Sequence, residues 1–526
     1  MKGTRTDNHL YSNQTSPELD IDSLAAPPKE ALALIILWSA REPERVGETA
    51  LLFPPGKRWI LGRSPDSLST VPPDSVLDPD GLMAQREVQV EEQPVRFFRQ
   101  RPVGSLDAES ADDEPRHIVG EAISRRQLEI SDRDDMLFVR NLGKCQLAVN
   151  GRAVQSTTVG PGDTLYLRSQ LLLYCTRRCK EMEALRAYPA RRVGAWAQPD
   201  ADGMIGESPV MWTLRERLAA CARTGFHVLV IGESGSGKEL AAQAIHNLSR
   251  RNGRKLIADN IAAIPPSLAA ALLFGNKKNF PNPGMEERVG LIGAAHESTL
   301  FLDEIGDMPE EVQPLFLRVA ERHGEYFRLG EEVKLHRSDF RLVGATNRPE
   351  RMRYELKRRF EREIRVPSLN SHKEDIPMLV RHLLTGYAAQ GDMDVQRFIK
   401  GGQPHVHPLL IEQLVHHNYV TNVSEVGFLL GHAIAESTAD IICPLRKGFS
   451  LQAETALPLD RAIPVLPSKR RTPQPLPSPI QAQRVLDEQS GHIARASAVL
   501  GISRDQLNRM IRRERLLVNR GKPVTR

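Results

Sequence analysis

A chain of 526 residues is too long for a single hydrophobic core and predicts about three domains joined by linkers. Hydrophobic residues make up 40% and charged residues 26%, and the apolar runs, such as Ala31–Trp38 and Val228–Ile231, fall far short of the roughly 20 residues that a membrane span needs. A net charge of +5 names no partner, and five thinly spread cysteines exclude a disulfide framework.

The N-terminal stretch MKGTRTDNHLYSNQTSPELD lacks the apolar core of a secretory signal, so a cytoplasmic protein is expected. Residues 1–30 are polar and carry Ala-Pro-Pro at 26–28, which predicts a disordered arm. Over 31–178, short β-type runs such as KRWILGRS, AISRRQLEIS, MLFVRNLG and GPGDTLYLRS alternate with Asn-Gly and Pro-Gly-Asp turns, the pattern of a β-sandwich. The acidic, proline-dotted stretch 65–116 breaks that pattern and reads as a long insertion. Cys175 and Cys179 have no second pair or flanking histidines and read as ordinary thiols. A charged linker over 179–203 leads to residues 204–436, where apolar strands alternate with helical periodicity, as in an α/β domain with a parallel sheet. Residues 437–479 are proline-rich and predict a semi-extended linker. A helical segment follows over 480–518, then a basic tail over 519–526. From Arg504 onward, eight Lys or Arg stand against Asp505 and Glu514, a local cationic patch.

HVLVIGESGSGKEL, residues 227–240, places Gly232, Glu233, Ser234, Gly235, Ser236, Gly237 and Lys238 between an apolar strand and a helix. That context is what a phosphate-binding loop requires: backbone N–H groups cradle phosphates, and Lys238 neutralises the β and γ phosphates at the helix N-terminus. Glu239 stands where a Ser or Thr usually helps to hold magnesium, so Mg2+ must lean on another ligand. STLFLDEIGD, residues 298–307, supplies one. Its strand delivers Asp303 to the metal, directly or through water, and Glu304 as the group that polarises an attacking water. Alone, that stretch also reads as a buried strand with an acidic end; its pairing with the loop favours the catalytic reading. A third strand, DFRLVGATN, ends in Thr346 and Asn347 at the sheet edge where ligands bind in such folds.

From Met204 to about His432 the sequence resembles the AAA+ ATPase domain of the bacterial enhancer-binding proteins, which activate RNA polymerase carrying sigma-54. The matching stretches are GESGSGKE, DNIAAIPPSL, LLFG, STLFLDEIGDMP, QPLFLRV, GATNRPE and EDIPML, and the family itself carries Glu after the loop lysine. The resemblance implies ATP sites between the subunits of a homo-oligomeric ring, usually a hexamer, and a helical lid. It implies that Asn260 is the switch residue holding the catalytic glutamate, that Asn347 belongs to the sensor motif, and that Arg353 and Arg359, with Arg358 a near neighbour, are candidate fingers for the adjoining subunit's site. A solvated basic helix face is the plainer alternative for MRYELKRRF.

Two stretches depart from the family. Residues 279–284 fall on its signature loop, Gly-Ala-Phe-Thr-Gly-Ala, which contacts sigma-54, but here read Asn279, Phe280, Pro281, Asn282, Pro283 and Gly284. Two prolines within three residues fix φ and remove donors, so a stiffer loop is expected and sigma-54 contact does not follow from the resemblance. In HHNYVTNVSEVGFLL, Asn422, Val423 and Glu425 match the start of the lid helix, but Ser424 replaces the nucleotide-sensing arginine. Histidines 405, 407, 416 and 417 lack supporting ligands and read as surface or packing residues.

SGHIARASAVLGISRDQLNRMIRRERL has the pattern of a helix-turn-helix, with Gly501 in the turn and Ser503 as N-cap, and it resembles a Fis-type DNA-binding module. Arg504, Gln506 and Asn508 then lie where base edges of double-stranded DNA are read, while Arg509, Arg512 and Arg513 meet phosphates; a basic surface hairpin is the alternative. The N-terminal sandwich resembles a forkhead-associated domain, which binds phosphothreonine peptides. Gly62 and Arg63 match its first motif and Ser124 and Arg125 its second, so Arg63, Ser124 and Arg125 are the candidate phosphate contacts. Gln127 replaces that family's histidine, and GKCQLAVNG lacks its Asn-Gly-Thr. The expected protein is multidomain: a β-sandwich, an α/β P-loop ATPase with a helical lid, and an all-α helix-turn-helix. Its output is either ATP-driven remodelling on DNA or regulation in which nucleotide only sets the oligomeric state.

Overall fold

The computed structural model describes residues 30–63, 92–105, 114–133, 135–280, 282–320, 324–391, 393–446, 479–488 and 500. Two units divide the chain, Met1–Lys447 and Gly448–Arg526. In the second, the described element is a helix over Pro479–Glu488. The recognition-helix residues Arg504, Gln506, Asn508, Arg509, Arg512 and Arg513 lie outside the described residues, as does the arm 1–29.

Residues 30–179 form two sheets. One runs in the order Thr49–Leu51, Glu30–Ser39, Leu171–Cys179, Thr164–Leu167, Leu147–Val149, Arg152–Ala153; the other Glu92–Pro94, Arg58–Leu61, Leu128–Arg133, Met136–Asn141, Ser156–Val159. Alternating residues of both, among them Leu34, Trp59, Ile130, Val139, Leu165 and Leu173, meet in one buried cluster. The first strand carries an unbroken apolar run because both of its faces are covered. Leu32, Leu34 and Ile36 enter the core, while Ala33, Ile35 and Leu37 are equally buried on the other side. There the Trp38 indole donates to Val406 O at 3.1 Å.

Two expectations fail in this region. The insertion expected over 65–116 is structural in its second half: Glu92–Pro94 pairs in parallel with Arg58–Ile60, and Val95 and Phe97 enter the core. The stretch expected as a charged linker over 179–203 is folded onto the helix α1 (Pro209–Ala222). Glu216 of that helix accepts the N–H groups of Arg186, Ala187 and Tyr188, and Asp202 takes Arg192 and the Asn247 amide. Arg192, Asp200 and Asp202 are paired internally while Glu181, Glu183, Arg186 and Arg191 face solvent, a division that composition alone does not distinguish.

The next layer is a parallel sheet of five strands: β1 (Val228–Ile231), β2 (Ile257–Asn260), β3 (Thr299–Asp303), β4 (Arg341–Thr346) and β5 (Arg362–Arg365), in the order β2-β3-β4-β1-β5. Apolar clusters on both faces explain why β1, β3 and β4 read as continuous hydrophobic runs. Helix α2 (Lys238–Asn247) packs its Ala241, Ala242, Ala244 and Ile245 against one face. The lid comprises α3 (Ile376–Ala389), α4 (Pro408–His416) and α5 (Asn422–Glu436). It extends past the expected end at 436, because Ile442 is fully buried and bridges Val406. Among the described residues no helix is long and apolar enough to cross a membrane.

Candidate functional site

β1 runs directly into the glycine-rich turn. Gly235 and Gly237 adopt φ of +69° and +97°, which a side chain disfavours, and this lets the chain wrap before α2 begins at Lys238. Lys238 is 7% exposed; its ammonium donates to Glu233 O at 3.2 Å and lies 3.7 Å from Glu304 Oε1. Glu304 follows β3 in a left-handed conformation, φ +49°, that is uncommon for a residue with a β-carbon and turns its carboxylate back over the sheet edge. The backbone N–H of Asn347, just past β4, donates to Glu304 Oε2 at 3.4 Å. The loop, Asp303, Glu304 and Glu239 thus share one cavity of about 730 Å3 with the lid residues His382, Tyr387, Ser424 and Phe428.

Asn260 does not hold Glu304 as expected. Parallel pairing sets Asn260 level with Asp303, and its amide donates to Asp303 Oδ2 at 3.3 Å. Glu304 lies one residue beyond the strand end, where its carboxylate accepts the Asn347 N–H instead. Arg353 and Arg359 do not line the cavity of their own chain; Arg353 is exposed beside Gln313, which accepts its backbone N–H.

Asn422, known from the sequence only as a motif match, proves to be the joint between lid and loop. It is fully buried, with φ +51°, and its amide donates to Glu233 Oε2 and Ser234 O, both at 3.0 Å. Its Oδ1 accepts Leu369 N–H at 2.7 Å, and Val423 N–H donates to Gly235 O at 3.2 Å. A β-carbon on Gly235 would collide with Thr421 O. The Glu425 carboxyl resists the upward push of burial: N–H groups of Thr421 and Val420 and the His417 ring hold it below the usual carboxylate range. His407 accepts Leu409 N–H to cap α4, and His416 meets Thr164 Oγ1. Among the described residues no group of His, Cys, Asp and Glu is arranged to hold a metal ion by itself.

The loop between Gly275 and Gly290 is tied both to itself and to the segment 328–330, where Lys277 N–H donates to Leu329 O at 3.0 Å. Asn276, 1% exposed, donates its amide to the carbonyls of Lys277, Phe280 and Glu286 at 3.0, 3.2 and 3.0 Å. Asn279, φ +64°, donates its N–H to Met285 O and accepts Gly284 N–H. Phe280 lies against Gly330. This buried amide gathers the loop independently of the prolines.

In the N-terminal module, Arg63 is exposed and its N–H donates to Ser124 O at 3.2 Å, while Ser124 Oγ accepts Lys144 N–H and Arg125 O lies against Gly62. Gln127 is fully buried, accepts Ser124 N–H and donates to Asn141 Oδ1 and Cys145 O. One side chain thereby ties the Ser124 turn to the turn over 141–145.

A parallel sheet with a phosphate loop after β1, an acidic pair after β3 and a helical lid defines a P-loop domain of the AAA+ class. Residues 204–365 match the sigma-54 interaction domain. The chain is 32% identical over 313 residues to the transcriptional regulatory protein ZraR of Escherichia coli strain K12, covering 58% of this chain and 67% of that one. It is 40% identical over 187 residues to the formate hydrogenlyase transcriptional activator of Salmonella typhimurium strain SL1344, covering 34% of this chain but only 27% of that protein. A crystal structure of NtrX from Brucella abortus in complex with ADP aligns at 25% identity over 61% of this chain and 70% of that one, with a TM-score of 0.41. The chain belongs to the family of transcriptional regulators built on the sigma-54 interaction domain.

Proposed function

We propose that the chain is a DNA-binding transcriptional regulator that binds and hydrolyses ATP in a homo-oligomeric ring, a hexamer by the family's habit. The observation that carries this reading is the approach of the Lys238 ammonium to the Glu304 carboxylate inside the lidded cavity. The residues present suit a triphosphate: the Ser236 hydroxyl is buried without a hydrogen-bond partner, and the space beside Gly237 is open. Lys238 neutralises phosphate charge. Asp303, oriented by Asn260 and by the Glu304 N–H, is the residue to hold Mg2+, whose charge would offset that of the phosphates. Glu304, oriented by Asn347, accepts a proton from water, and Arg353 and Arg359 serve the adjoining subunit's site. Lys238→Ala should abolish ATP binding, and Glu304→Gln should lower turnover by about a hundredfold or more while keeping affinity. Turnover unchanged in either variant refutes the assignment.

A second reading is favoured by the self-tied loop and by Ser424: nucleotide sets the oligomeric state, and sigma-54 is not engaged. An open-complex assay with sigma-54 polymerase, with ATPase measured in parallel, separates the two; promoter opening refutes the second reading, and hydrolysis without opening supports an output in which sigma-54 is not engaged. At the N-terminus the proposed role is recognition of a phosphothreonine partner by Arg63, Ser124 and Arg125, supported by the Gln127 scaffold. Phosphopeptide binding unaffected by Arg63→Ala removes that role. The proposed reader of double-stranded DNA is the Fis-type module, with Arg504, Gln506 and Asn508 on bases and Arg509, Arg512 and Arg513 on phosphates. Base-contact and phosphate-contact variants should separate in sequence preference.

A further inference from the structure

One wall of the cavity is the segment that carries Gly203, Met204 and Ile205, and the facing hinge of the lid contributes Leu369 and His372. Both meet at Asp375, a fully buried carboxylate. It accepts the N–H groups of Glu207 and Ser208 at 2.9 and 3.1 Å and the Ser208 hydroxyl at 2.6 Å, and it lies 3.1 Å from His372 Nδ1. Gly206 makes the approach possible: its φ is +128°, and a β-carbon there would come within 2.6 Å of Asp375 Oδ2. From the other side Arg215 donates to Met204 O and Gly206 O at 3.1 and 2.8 Å.

Two cations reach this joint from the N-terminal module. Arg101, on the stretch that also supplies Val95 and Phe97 to the module's core, grips Glu207 with both prongs of its guanidinium; Nε donates to Oε2 at 2.9 Å. The side chains are 7% and 4% exposed, and the guanidinium carbon lies 5.3 and 5.6 Å from the Trp196 and Trp212 ring centres. Arg178, near the end of the strand Leu171–Cys179, donates to Glu207 O at 3.3 Å and stands 3.7 Å from Glu374 Oε1. Glu207, Glu374 and Asp375 place three carboxylates in one buried volume, and removing either arginine would leave a buried negative charge beside the nucleotide wall.

We propose that Arg101 and Arg178 are positioning residues of the ATP site: by neutralising Glu207 and Glu374 they hold the 203–208 wall and the lid hinge against Asp375 in the conformation that seats the nucleotide. The N-terminal module is then a working part of the nucleotide site, and a partner that moves it changes nucleotide affinity. This inference rests on the nucleotide-binding reading above.

The test uses the full chain titrated with a fluorescent N-methylanthraniloyl-ADP, with thermal melts to establish folding. Arg101→Ala and Arg178→Ala should each weaken binding by about tenfold. Arg101→Lys, which keeps the charge but loses the fork, should weaken it by only about threefold, and it reads the same effect should Arg101→Ala not fold. Ile130→Ala, a fully buried change in the module's core far from the joint in sequence, lowers the melting temperature and should leave affinity unchanged. Wild-type affinity in both arginine variants, with binding lost in Lys238→Ala, overturns the proposal and leaves the nucleotide reading standing. Affinity that falls equally in Ile130→Ala also overturns it, since binding would then follow general stability. Absence of binding in the wild type overturns the nucleotide reading and the proposal together.

Discussion

Replacing Asn276 by Ala removes the amide that gathers three carbonyls at the stem of the loop. Two amide hydrogens shared among three acceptors are worth about 2 kcal/mol at about 1 kcal/mol per bond. The side-chain Oδ1 has no hydrogen-bond partner, so nothing is lost on that side. For a domain of this size, about 2–4 °C per kcal/mol converts that to a fall in melting temperature of about 4–8 °C. Freed carbonyls also loosen the tip, so trypsin should cut faster after the exposed Lys277 and Lys278. Asn276→Asp should cost more than Asn276→Ala, because it would aim a buried carboxylate at the same carbonyl oxygens. Calorimetry and timed proteolysis of the three proteins make the check. A shift under about 1 °C with an unchanged tryptic pattern would show that the loop does not depend on its amide.

Gly235→Ala places a methyl group against Thr421 O at a φ of +69°, so the lid should lift from the phosphate loop and nucleotide affinity should drop by about tenfold; equal affinity in calorimetric titration rejects this joint. Burial pushes the Cys175 thiol up to about 12, with Asp163 adding to the shift and Arg177 opposing it, so at pH 8 only roughly one molecule in ten thousand carries its thiolate. Iodoacetamide should spare Cys175 in the native protein and label it once unfolded; equal labelling rates contradict its burial. Glu425 titrates below the usual carboxylate range when folded, so its contribution is present above that range and is lost as pH falls through the lowered value. Glu425→Gln should therefore melt earlier than wild type at pH 7, with the gap closing on acidification below the ordinary value of 4.5; a gap independent of pH refutes this.

Local rules carried the phosphate loop, because its glycines sit where the backbone must turn left-handed, and the acidic pair, because a strand end at a parallel sheet edge fixes its side. What local rules could not carry was pairing across the chain. Asn260 was legible as a polar strand end, but only the register with β3 assigns its amide to Asp303 instead of Glu304. Val95 and Phe97 alternate as a strand should, yet the arginines and prolines around them read as loop, since Arg101 finds its carboxylate 106 residues away. The stretch 179–203 folds for the same reason: its Arg192 pairs with Asp202, its Asp200 with Arg215, and its N–H groups at 186–188 with Glu216.

At the stem of the loop, Gly275 and Gly290 touch backbone to backbone, and a β-carbon on either would strike the other strand's main chain. These two positions thus tolerate no side chain, whereas Lys277, Lys278, Asn282 and Gly284 at the tip face solvent. Substitution can therefore accumulate at the tip without reaching the sheet behind it. Such a loop behaves as an exchangeable tip on a fixed socket, so a relative's tip sequence could be grafted beyond Asn276 without re-engineering the sheet behind it.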